Sequence, residues 1–201
     1  MVLLKSLSDS YIINGNGSTR TAAQISAPSN ANDYTWDAQS AVVADKLYLF
    51  GGNSGDYRKI ARLESCTIVE LTVKLNNDFA YRHAALASAD NSQALICFGN
   101  ISPYKYCDIF DGSTVVTTFT TTYSHRNGGL GYYNGQPTTV GSSSQNGFGK
   151  VETLSQNGWT SLADHPMQVF YLLQFLINIK KRARPSPGRP EKWRYAPDRW
   201  L

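Results

Sequence analysis

An apolar strand that ends in glycine is written three times along this chain. It reads Leu47-Tyr48-Leu49-Phe50-Gly51-Gly52, then Leu95-Ile96-Cys97-Phe98-Gly99-Asn100, then Thr138-Thr139-Val140-Gly141-Ser142. The lead glycines Gly51, Gly99 and Gly141 stand 48 and then 42 residues apart. A period of roughly 40–50 residues marks a stacked array in which each repeat is one small β-module that buries its apolar faces against its neighbours. Glycine at the strand end implies close backbone approach, which a Cβ would block.

The text between the glycines divides into strands and turns. In the third module, residues 123–133 read as an innermost strand, Asn134-Gly135 as a tight hairpin turn because both central positions need positive φ, and residues 136–141 as a second strand. A polar loop over 142–149, a third strand over 150–154, a turn at Asn157-Gly158 and an outer strand over 159–163 complete it. The second module repeats the scheme with strands at 84–89, 94–98, 107–110 and 114–121, the first with strands at 40–44, 47–50, 59–63 and 67–75. Short runs of Val, Ile, Thr, Tyr and Phe broken by Asn, Gly, Ser and Asp fit this reading. The fold class expected is therefore all-β, built of four-stranded antiparallel modules of the propeller-blade kind.

These residues resemble the kelch repeat. Its pattern is a His near the inner strand, an apolar strand ending in a double glycine, an apolar–acidic pair, a Trp, and a closing Pro-Met. The third module carries His125, Gly141, Val151-Glu152, Trp159 and Pro166-Met167; the second has His83 and Gly99; the first has the intact Gly51-Gly52. Departures are Asn100 and Ser142 in place of the second glycine, and no Trp in the first two modules. The resemblance implies kelch-type β-propeller blades at 37–79, 80–122 and 123–167, after an N-terminal hairpin within 1–36 that could be half of a preceding blade. The rival reading of the same glycines is ordinary turns of an unrelated β-sandwich. Propellers close with roughly 4–8 blades, so the expected ring is incomplete.

After Met167 the composition changes. Residues 168–179 are almost continuously apolar, and 180–201 hold eight Lys or Arg and four prolines. The formal net charge of +4 thus resides in a tail, and the repeat region, near neutral, carries no nucleic-acid footprint. Its apolar stretch 169–179 would be about 16 Å long as a helix, against a hydrocarbon core of about 30 Å, so no transmembrane segment is expected. It reads as the opening strand of a further blade, or as an interfacial anchor. The basic segment reads as disordered, as a tether to nucleic acid or anionic lipid, or as a misjoined C-terminus. The stretch before Lys5 is too short for a secretory h-region, so the chain is either cytosolic or begins at a non-native start.

Chemistry-bearing constellations are sparse. His83, His125 and His165 show no metal-ligand spacing, and no Cys-x-x-Cys, P-loop or nucleophile elbow appears, so neither cofactor nor metal is expected. Cys97 would end a second strand and Cys107 start the third, and neighbouring antiparallel strands bring Cα atoms within disulfide reach. Either they are bonded or both are reduced, and Cys66 is left over. Asn16 and Asn100 fit the glycosylation pattern, which matters only in a secreted chain. The resulting expectation is a non-catalytic protein–protein interaction module whose loops at 53–57, 100–106 and 142–149 meet an unidentified protein partner. The alternatives are the remnant of a copper radical oxidase or glycosidase propeller, and a basic-tail tether.

Overall fold

The structure, a computed structural model, describes residues 2–4, 10–13, 19–21, 34, 36–53, 55–65 and 67–169. Cys66, Asn16 and the tail from residue 170 onward, including its apolar and basic segments, lie outside the described residues.

Near the N-terminus, β1 (Val2–Leu4), β2 (Ser10–Ile13) and β3 (Thr19–Thr21) form a three-stranded antiparallel sheet. The hairpin expected there is the β2–β3 pair, and β1 is a further strand that the sequence reading did not foresee.

Three four-stranded antiparallel meanders follow. The first blade is β4 (Gln39–Val43), β5 (Lys46–Phe50), β6 (Ile60–Glu64) and β7 (Thr67–Glu70). The second is β8 (His83–Ala87), β9 (Ala94–Phe98), β10 (Cys107–Phe110) and β11 (Val115–Thr117). The third is β12 (Gly129–Tyr133), β13 (Gln136–Val140), β14 (Val151–Ser155) and β15 (Gly158–Ser161). The chain is all-β in its sheets, and the described residues form no closed ring.

Three strands are markedly shorter than the sequence suggests, and one of them, β7, ends at Glu70 rather than Leu75. The inner strand of the third blade begins at Gly129 rather than Tyr123, because the N–H groups of Thr122 and Tyr123 donate to the Glu152 carboxylate instead of to a ladder. The outer strand of the second blade stops at Thr117, where the Thr117 hydroxyl turns back to Asp108.

Alternation along the strands places one apolar face of each blade against the next. Tyr48, Phe50 and Ile60 of the first blade interleave with Ala85, Ile96 and Phe110 of the second. The Phe110 ring meets Tyr48 edge-on at 4.9 Å and Phe50 at 5.6 Å, geometries that add to simple burial. The opposite face of the second blade presents Leu86, Leu95, Cys97 and Phe98 to Leu130 and Leu154 of the third. Trp159 packs at the rim of this second interface and donates its indole N–H to Phe119 O at 3.0 Å.

The repeated glycine marks where blades are threaded together. A Cβ on Gly51 (φ +57°) would sit 2.1 Å from Phe79 O, and one on Gly141 (φ +74°) would sit 2.1 Å from Val169 O. Neither a side chain nor that backbone angle tolerates substitution. Val169 stands to the third blade as Phe79 stands to the first. Gly52 N–H donates to Phe79 O and Ser142 N–H to Val169 O, while Phe79 N–H and Val169 N–H donate back to the loops at Tyr57 O and Phe148 O.

A candidate interaction face

Strand order dictates two unlike ends. Hairpins between first and second, and between third and fourth, strands gather at one end; the second-to-third loops and the linkers between blades gather at the other. The turns of the first end are short, like the Asn134-Gly135 turn with φ of +51° and +79°, and two of them are joined by the Ala44 N–H bond to Asn91 O at 2.7 Å. The linker end therefore carries all three loops expected to make contacts, at 53–57, 100–106 and 142–149.

Buried carboxylates build this end. Asp108, on β10, accepts the N–H groups of Asn76 and Asn77 at 2.8 and 3.0 Å, with Asn77 Nδ2 at 2.7 Å and the Thr117 hydroxyl at 3.0 Å. Glu152, on β14, accepts the N–H groups of Thr122 and Tyr123 at 2.9 and 3.0 Å and His125 Nε2 at 2.9 Å. Both side chains are fully buried. Each thus clasps the linker that leads into its own blade. Burial alone would push the Glu152 carboxyl up, but hydrogen bonds from His125, Tyr123 and Thr122 outweigh it and hold it below the usual carboxylate range. His125 donates through its other nitrogen, Nδ1, to Gly141 O at 2.8 Å. With an acceptor on each side, the ring makes both bonds only when both nitrogens carry a proton.

The histidines are not repeat-equivalent, contrary to the sequence reading. His83 opens β8 opposite Phe98, and the residue in that register of the third blade is Gly129, opposite Val140. His125 lies earlier, in the linker. Both are buried and serve a strand-end carbonyl, His83 Nε2 donating to Phe50 O at 3.1 Å. Burial pushes the His83 imidazole down to about 4, with the Phe50 carbonyl opposing and the Lys59 charge assisting. His165 bonds Met167 through its ring Nδ1 and Gly149 O through its main-chain N–H. Among the described residues no three metal-ligating side chains gather.

Cys107 and Cys97 face each other across β9 and β10 and are joined, with Cα atoms 4.2 Å apart, both fully buried in the second interface. A loop of this size closed by a disulfide is worth roughly 2.5 kcal/mol. Reduction should therefore lower the urea midpoint measurably, and the Cys97→Ser, Cys107→Ser double variant should show the lowered midpoint with no further response to reductant. A reductant-insensitive wild-type chain would show the bond to be absent in solution.

On the surface of the linker end, Trp36 is 67% exposed, and Tyr57 and Ile101 stand out to solvent. Two arginines lie on tyrosine rings, Arg82 5.1 Å from the Tyr81 centroid and Arg126 5.4 Å from that of Tyr104. Asn127 N–H donates to Arg82 O at 3.1 Å, which seats the 126–127 backbone against the start of the second blade. Asn100 is half-buried, with its side-chain oxygen enclosed and without a donor. Sequence reasoning missed Asp108, Arg82 and Arg126. The first could have been found by sliding the apolar–acidic pair from Val151-Glu152 back 44 residues to Cys107-Asp108.

No family model matches this sequence, and no curated protein does. Among solved structures, 114 chains match. One, titled "Structure of YjhT", superposes with a TM-score of 0.63 at 15% identity over 81% of this chain, which spans 62% of the length of that one. No helix among the described residues is long and apolar enough to cross a membrane. The likeness is one of fold, and it identifies the three meanders as propeller-like blades.

Proposed function

We propose that this chain is a non-catalytic protein-interaction module of kelch type whose partner is met by the linker-end loops. The observation that carries the reading is the contrast within that end. Asp108, Glu152 and His125 are consumed in holding linkers and strand ends, while Trp36 and Tyr57 face outward. Trp36 and Tyr57 supply large, rigid anchors, and the flanking Asn, Ser and Gly supply adaptable polar contacts, the combination that dominates protein interfaces energetically. The kelch assignment is supported by the glycine pair at Gly51-Gly52, the acid of Val151-Glu152 in its clasp, and Trp159 at the blade rim.

The test is selection from a random displayed-peptide library against the full chain, with Trp36→Ser, Tyr57→Ser protein as counter-target. Enriched peptides should bind the double variant at least tenfold more weakly. Recovery of no binder, or of binders indifferent to the two substitutions, would overturn the assignment. So would a rise in melting temperature with copper or with monosaccharides, since that would return the fold to the oxidase or glycosidase class.

A further inference from the structure

Four Asn-Gly pairs lie among the described residues, at 127–128, 134–135, 146–147 and 157–158. Asparagine before glycine is chemically labile, because the glycine nitrogen, unhindered by a Cβ, can attack the side-chain amide carbon. That attack needs a nitrogen that is not already donating and a backbone free to turn. Three of the pairs are held against it. Gly128 N–H donates to His125 O at 2.7 Å, while Asn127 is fixed through its own N–H to Arg82 O and its side-chain amide to Ser143 Oγ. Gly147 N–H donates to Ser144 O at 2.9 Å, and the residue is buried against Ser124. Gly158 pairs with Ser155 in the β14–β15 ladder and lies buried beneath the Phe119 ring.

Asn134-Gly135 differs on each count. Among the described residues, Gly135 N–H and the Asn134 side chain have no hydrogen-bond partner. A Cβ on Gly135 would meet nothing within 4 Å, and residues 133–136 are all exposed. The corresponding hairpins of the first two blades are tied to each other by the Ala44–Asn91 bond. In the third blade the last tie before the turn is the Tyr132 hydroxyl, which donates to Ala87 O at 2.9 Å. The tip beyond Tyr132 can therefore open without breaking a hydrogen bond to another blade, which makes its opening cheap.

We infer that Asn134 is a site of self-modification, converted through Gly135 to isoaspartate and aspartate. The Gly135 nitrogen bonds to Asn134 Cγ and gives up its proton. The bond from Cγ to the side-chain nitrogen breaks, and that NH2 group takes the proton and leaves as ammonia. Water opens the resulting succinimide ring, its hydroxyl going to a ring carbonyl carbon and its proton to the Gly135 nitrogen. Opening at Cγ gives aspartate; opening at the main-chain carbonyl gives isoaspartate, whose backbone runs through the side chain and is one carbon longer. Either product places a new negative charge at the hairpin tip, and isoaspartate disturbs the pairing of Tyr133 with Gln136.

The test incubates the full chain at neutral pH and room temperature, with and without an unfolding concentration of guanidinium chloride. Samples are digested at intervals, and tandem mass spectrometry reads amide-to-acid conversion at each of the four asparagines. Resistance of the product to endoproteinase Asp-N identifies isoaspartate. In the folded chain Asn134 should convert at least tenfold faster than Asn127, Asn146 or Asn157, with both products present. In the unfolded chain that lead should shrink to less than threefold, because all four pairs are then equally open. Equal rates in the folded chain, or a faster rate at any of the other three, would overturn the proposal. So would a lead that persists undiminished on unfolding, since neighbouring residues rather than the fold would then choose the site. Conversion to aspartate alone would mean direct hydrolysis of the amide by water and would equally remove the ring closure.

Discussion

Glu152→Gln should destabilise the protein by about 3–5 kcal/mol, the usual loss when one partner of a buried ionic pair is removed. The carboxylate accepts three donors at once, Thr122 N–H, Tyr123 N–H and His125 Nε2. The amide that replaces it has the same shape but turns one acceptor into a donor, facing an N–H that is already a donor. Urea unfolding measures the loss. A double-mutant cycle with His125→Gln should return a coupling of about 1 kcal/mol or more, because the two side chains are in direct contact. The pH profile supplies a second reading. A carboxyl held below its unfolded value contributes stability that is present above that value and drains away as pH falls through the folded one. Wild type should therefore lose stability on acidification that Glu152→Gln has already lost. A variant within about 1 kcal/mol of wild type would mean that the linker does not depend on this carboxylate.

The second large effect belongs to His83. Its imidazole is pushed down to about 4 in the fold, chiefly by burial, against about 6.5 in an unfolded chain. Between those values the unfolded chain takes up a proton that the folded one refuses. Stability is thus complete above about pH 6.5 and declines as pH falls toward 4, by about 3 kcal/mol at about 1.4 kcal/mol per unit. His83→Gln keeps a donor for Phe50 O but cannot titrate. Unfolding free energies at pH 7, 6, 5 and 4 should converge for the two chains as the wild type is acidified. Subtracting one profile from the other isolates what His83 contributes. Parallel profiles would show that His83 is open to solvent protons.

Much of the architecture was legible because the strongest constraint is steric. A glycine that would place a Cβ 2.1 Å from a carbonyl has no substitute, so Gly51 and Gly141 announce themselves in one sequence. The Asn134-Gly135 turn is legible for a related reason, since both its residues sit at positive φ. His125 was misplaced because spacing of 42 from His83 looks like a repeat unit, whereas the strand register makes Gly129 the counterpart of His83. Asp108 went unread because its partners, Asn76 and Asn77, lie some thirty residues away and bond through main-chain N–H groups that have no sequence signature.

The two clasps carry a consequence for the order in which the protein is made. During synthesis, Asn76 and Asn77 emerge first and their N–H groups must wait for Asp108, as those of Thr122 and Tyr123 must wait for Glu152. Neither linker can be locked until the third strand of its own blade has left the ribosome, so nascent chains should gain protease resistance in steps rather than continuously. Among the described residues the first blade shows no such latch. Gly51 N–H bonds Lys59 O as Gly141 N–H bonds Lys150 O, which puts Ala61 where the third blade has Glu152. Its security comes from outside, when Phe110 arrives to seat against Tyr48 and Phe50. The first of these three blades is made before the neighbour on which it depends, and a nascent chain halted just before residue 108 should leave it open to cleavage.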